Sequence, residues 1–85
     1  MHTDEYEISL GREIAFCRKM VRRLQGSLEK RERQGGMTTA AFLEALEKGG
    51  LLGRHPVQDW TQEHQRLQYW QKMLAEYEEA LKSLE

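Results

Sequence analysis

One cysteine, one proline and no long apolar run are the first constraints in this 85-residue sequence. A lone Cys excludes an internal disulfide and a four-thiolate metal site. A lone Pro leaves long stretches free of helix breakers. No apolar stretch approaches the ~20 residues of a membrane span. Asp4, Glu5 and Glu7 stand where a secretory leader would carry bases. A soluble, cytoplasmic chain is expected, with no membrane partner. An excess of one charge is also missing: 13 Lys+Arg against 14 Asp+Glu leave −1, which argues against a general polyanion binder. No segment alternates with period two or is rich in β-branched residues, so no strands are expected.

The residues that are present suit helices. Hydrophobic residues make up 39% and charged residues 32%, and the mean hydropathy is −0.80, a balance normal for long, half-exposed helices. Glycine divides the chain. Gly35-Gly36 and the run Gly49-Gly50-Leu51-Leu52-Gly53, followed by Pro56, leave three segments: about 4–33, about 38–48 and about 56–84.

The first segment carries Leu10, Ile14, Cys17, Val21, Leu24 and Leu28, spaced 4, 3, 4, 3, 4. This heptad rhythm keeps one stripe against a partner helix. Ile8, Phe16 and Met20 widen the stripe. Thr3 or Asp4 can cap the start, and Gly35 or Gly36 can close the end in a left-handed conformation. Gly11 and Gly26 lie inside the helix, either as surface residues or where another backbone comes close; each costs about 1 kcal/mol relative to Ala. The last segment repeats the device with Trp60, Glu63, Leu67, Trp70, Leu74, Tyr77, Leu81 and Leu84, and Glu63 alone breaks its apolar character. Pro56 fits the first helical turn. Between them, Thr38 or Thr39 caps a short helix with Phe42, Leu43 and Leu46 on one face. About ten residues are marginal as a free helix, so this element must dock.

The expected fold is therefore a single all-α domain over residues 1–85: a long antiparallel, coiled-coil-like helical hairpin with a short helix at the turn. Phe16, Met20, Tyr69 and Tyr77 would be left as an exposed band, which predicts a homodimer closing a four-helix bundle. Trp60, Trp70, Phe16, Met20 and Tyr77 are the expected packing or interface anchors. An antiparallel pairing of the first helix with its symmetry mate would set Glu5 and Glu7 near Arg31 and Arg33 of the other copy, a weak preference because exposed charges are screened.

Bases concentrate between Arg18 and Arg33, seven against two acids. Arg18, Lys19, Arg22 and Arg23 place two basic pairs one turn apart. They form a solvated face, a steering patch for an acidic protein, or a nucleic-acid face; the last is disfavoured by the absence of an aromatic platform or a DNA-reading motif. No catalytic, cofactor or metal motif is present. His2, His55 and His64 lack ligand spacing, Cys17 reads as a core residue, and the Gly49–Gly53 run follows a helix without joining a strand to one, so it is no phosphate cradle. An enzyme is not expected.

The order of parts has a resemblance. A charged helix ends in Gly36-Met37-Thr38-Thr39, and Phe42-Leu43, Glu47-Lys48-Gly49, Leu52-Gly53 and Trp60 follow before a closing charged helix. This resembles a group of short, mostly uncharacterised prokaryotic helical proteins, some encoded beside toxin-like proteins and regarded as antitoxin-like. Ala40, Ala41 and Arg54-His55-Pro56 depart from the acids that members carry at those places. The resemblance implies a second protein as partner, covered sterically by helix faces. A structural coiled-coil subunit and a nucleic-acid accessory protein are the alternatives.

Overall fold

The structure is a computed structural model that describes residues 2–49 and 57–84, with side chains from Glu5 onward. It holds three helices, α1 (His2–Gly35), α2 (Thr39–Glu47) and α3 (Val57–Lys82), and no strand among the described residues. The segment from Gly50 to Pro56, including His55 and the expected helix start at Pro56, lies outside them, as does the side chain of His2. None of the helices is long and apolar enough to cross a membrane.

Helix α1 begins at His2, ahead of the expected caps at Thr3 or Asp4, and runs two residues beyond the expected end at Arg33. Its end is set by Gly36, whose φ of +67° is left-handed. That turn lets the Met37 amide donate to the Glu32 carbonyl at 3.2 Å, the bond that closes a Schellman turn. Thr38 caps α2: its hydroxyl oxygen accepts from the Ala41 amide at 3.1 Å. Gly49, at φ +78°, closes α2 in the same left-handed way.

Helices α1 and α3 pack side by side and antiparallel. The pairings that fix this sense are Arg18 with Glu78 near the open end and Arg31 with Glu63 near the turn. The molecule is a rod of 56 × 20 × 16 Å with a radius of gyration of 17.0 Å, against about 12 Å for a compact domain of this length. All six residues of the α1 stripe are buried. The α3 stripe is only half-buried apart from Trp60. Side-chain size explains the asymmetry. Trp70 and Tyr77 carry rings wider than the Ile14, Cys17 and Val21 side chains of the α1 stripe, and their outer edges stay in water.

The best-enclosed core sits at the turn end. Leu28, Phe42 and Trp60 form it, with Met37, Leu43, Leu46, Val57 and Leu67 packed around them. Phe42 and Trp60 stack at 4.0 Å and 9°, so α2 is docked by an aromatic pair worth about 0.5–1.5 kcal/mol beyond its area. The two helix-interior glycines take the surface reading, since a Cβ at Gly11 or Gly26 would meet nothing within 4 Å. The close approach is instead at Gly35, where a Cβ would come to 3.1 Å from the Trp60 ring.

Candidate interaction surface

Three groups of residues account for the polar and aromatic positions singled out in the sequence. The first is the turn. Trp60 Nε1 donates to Thr39 Oγ1 at 3.0 Å inside the core, and the Thr39 amide donates to Glu32 Oε2 at 2.6 Å. The Thr39 bonds, first from its amide, hold the Glu32 carboxyl below its ordinary pKa, against a small opposing effect of burial. The Gly-Met-Thr-Thr…Phe…Trp order that carries the resemblance is therefore a built corner. Gly36 turns the chain, Thr38 and Glu32 cap α2, and Thr39 and Phe42 receive the indole.

The second group explains the break in the α3 stripe. Glu63 accepts from the Ser27 hydroxyl at 2.6 Å and from Arg31 Nε at 2.5 Å. Burial alone would raise the Glu63 carboxyl, but the Ser27 and Arg31 hydrogen bonds with the charges of Arg31 and Arg66 outweigh it, and its pKa is lowered. Arg31 is thus paired within its own chain, with 26% of its side-chain surface in water.

The third group is the band. On α1, Phe16 and Met20 fall one residue before the buried stripe positions 17 and 21. On α3, Tyr69 and Met73 fall one residue before Trp70 and Leu74. A one-residue step is about 100° around a helix, and in an antiparallel pair these two flanks open on the same side of the rod. The ring contacts agree: Phe16 meets Trp70 edge-on at 5.3 Å and Tyr69 meets Trp70 edge-on at 5.1 Å. Phe16 is 48% exposed and Tyr69 55%, while Met20, Trp70 and Met73 are half-buried. Tyr77 lies at the band's inner edge, half-buried. Burial first, then Glu13, Cys17, Tyr69 and Glu76, raises its phenol pKa. Met73 is a band residue beyond those expected, and its one-residue offset from Leu74 is the signal in the sequence that marks it.

The opposite side of the rod is polar. Arg18 pairs there with Glu78 at 2.9 Å, both well exposed, a contact worth less than about 1 kcal/mol. Lys19, Arg22 and Arg23 are exposed, and with Arg18 they spread around α1 without converging on one spot, Arg23 falling on the side of the band. His64 is half-buried at the rim of a shallow groove with Gln25, Glu29 and Thr39. Cys17 is fully buried, and burial and then Glu13 raise its thiol pKa. Among the described residues no group of three metal-ligating side chains comes together. No family model matches the chain, and neither a curated protein nor a solved structure does.

Proposed function

We propose that this chain is a small protein-binding module that works through its helical surfaces, as a homodimer in a four-helix bundle. In the antitoxin-like role that the resemblance implies, it would cover a partner's working surface. The observation that carries the reading is the continuous band of Phe16, Trp70 and Tyr69 on one side of a rod. Contiguous exposed aromatics of this kind mark interaction surfaces. The rod also exposes 6514 Å², roughly 1300 Å² more than the about 5200 Å² of a compact 10 kDa protein. That surplus exceeds the ~800 Å² per partner of a standard interface.

The test is affinity capture with the tagged full chain from its native cell, followed by reconstitution of each captured protein with the purified chain. A defined complex that blocks the captured protein's activity is the expected result; a chain that retains no protein overturns the reading. The nucleic-acid alternative is weaker than the base count suggests, because Arg18 and Arg31 already have carboxylate partners. A low-salt gel shift showing salt-sensitive retention would favour it. Open-ended growth in light scattering would favour a structural coiled-coil subunit.

A further inference from the structure

The band is framed by charge in a way that its aromatic content does not require. Continuing each flanking stripe by its own 3 and 4 spacing gives Glu13, Phe16, Met20 and Arg23 on α1. On α3 it gives Arg66, Tyr69, Met73 and Glu76. The two stripes have one design: an aromatic and a methionine in the middle, with opposite charges outside. Their charges run in opposite senses along the chain, and the helices are antiparallel. Both acids therefore fall toward the open end and both bases toward the turn end. Electrostatics within the chain agree. Glu13 and Glu76 both act on Tyr77, and Arg66 acts on Glu63. All four charged residues are exposed, and none has an ion-pair partner among the described residues.

We infer that this face is the self-association surface, occupied by a second copy of the chain turned end for end about a two-fold axis that lies across the rod. The inference rests on the self-association proposed above and adds its face and its geometry. A two-fold axis in the plane of the interface and perpendicular to the rod stacks α1 on the second copy's α1, and α3 on its α3, each antiparallel. The band of each copy then lies on the band of the other, with the acidic open end of one, Glu13 and Glu76, facing the basic turn end of the other, Arg23 and Arg66, and each contact occurring twice by symmetry. The other in-plane two-fold, along the rod, would bring acids onto acids and bases onto bases. Like-charge contact selects against it. Within the isolated chain each end of the face carries two like charges, and the end-for-end mate neutralises both.

The experiment is sedimentation equilibrium on the full chain and on two charge-reversed variants over a range of concentration and salt. Arg23→Glu/Arg66→Glu makes both ends acidic, and Glu13→Arg/Glu76→Arg makes both basic. The wild type is expected as a dimer that weakens as salt rises. Each variant alone is expected to associate about 10-fold or more weakly, and an equimolar mixture to recover a dimer. That recovery shows that both variants fold. A wild type that stays a 10.0 kDa monomer to high micromolar concentration overturns the inference. So do variants that dimerise as well as the wild type, or a dimer that tightens with salt. Each of these results can occur while a captured partner still forms its complex, so failure here is distinct from failure of the protein-binding reading.

Discussion

Replacing Glu63 with Gln probes the contact that interrupts the α3 stripe. The substitution keeps shape and keeps an acceptor for the Ser27 hydroxyl, but removes the charge that Arg31 answers. A hydrogen bond to a charged group contributes about 1.5–3 kcal/mol. Arg31 and Glu63 keep 26% and 20% of their side-chain surface in water, so solvent screening places the loss at the low end, about 1.5 kcal/mol. The unfolding entropy of an 85-residue chain is about 180 cal/mol/K, so Tm should fall by roughly 8 °C at neutral pH. Helical circular dichroism during melting measures this, at one fixed protein concentration because the proposed self-association would shift Tm.

Acid gives the same variant a second reading. The Glu63 carboxyl has a folded pKa below its unfolded value of about 4.3. The stability it contributes is complete above that unfolded value and is lost as pH falls through the lower folded one. The wild type should therefore lose stability below about pH 4.3 more steeply than Glu63→Gln, and the two melting temperatures should converge. Glu32 is depressed in the same direction and titrates in both proteins, so it cancels in the comparison. Equal Tm at pH 7, with superimposable acid profiles, would refute the reasoning and reduce the Ser27–Glu63–Arg31 contact to decoration.

Other perturbations follow from the same geometry. Gly26→Ala adds a methyl into open space inside a helix, so it should stabilise by about 1 kcal/mol and raise Tm by about 5 °C. Gly35→Ala brings the same propensity gain against a rigid indole at 3.1 Å, and overpacking at about 1–3 kcal/mol should make it net destabilising in the same melts. Trp60→Phe keeps a ring against Phe42 but strips Thr39 of its donor, at about 1–2 kcal/mol. Trp60→Ala opens a cavity at about 3–5 kcal/mol, and urea titration should show its midpoint much the lower of the two. Cys17 has no exposed surface and a raised pKa, so a thiol reagent should react roughly 100-fold or more slowly with folded than with unfolded protein; comparable rates would contradict the packed seam.

Local periodicity made the hairpin legible. Leu10, Ile14, Cys17, Val21, Leu24 and Leu28 are all buried as their spacing requires, and both helix-ending glycines lie where the chain must turn left-handed. Contacts between segments far apart in sequence were not legible. Glu63 reads as a flaw in a stripe until Ser27 and Arg31 are seen opposite it. Glu32 reads as one more charge in a basic stretch until the turn brings the Thr39 amide to it. Trp60 reads as one more seam residue, whereas its indole N–H serves the corner with α2. Periodicity says which face is apolar, but a polar residue's partner is chosen by register, which only packing sets. The band shows the same division. Phe16, Met20 and Tyr69 are legible as a band from the sequence, whereas Tyr77 is half-buried on the seam and Met73, also half-buried, joins the band next to Tyr69.

Register is also what the polar contacts supply. Two stripes of 3 and 4 spacing look alike after every seventh residue, so apolar packing alone tolerates a slip of one heptad. Slipped by seven toward the start of α1, Glu63 would leave Ser27 and Arg31 and face Met20 and Leu24, a charge set on apolar side chains. Slipped the other way, it would reach Gln34 at the end of α1 and leave Ser27 and Arg31 behind, and Trp60 would pass beyond Gly35 and lose Thr39 and Phe42. Both pins lie at the turn end. The open end is held across the helices by Arg18 and Glu78, a screened surface pair that adds little. Glu13 and Glu76, without an ion-pair partner among the described residues, add like charge beside Tyr77. A hairpin built this way is defined at its corner and under-defended at its mouth, and the end-for-end mate inferred above would place the basic, well-pinned end of one copy against the acidic, weakly held end of the other.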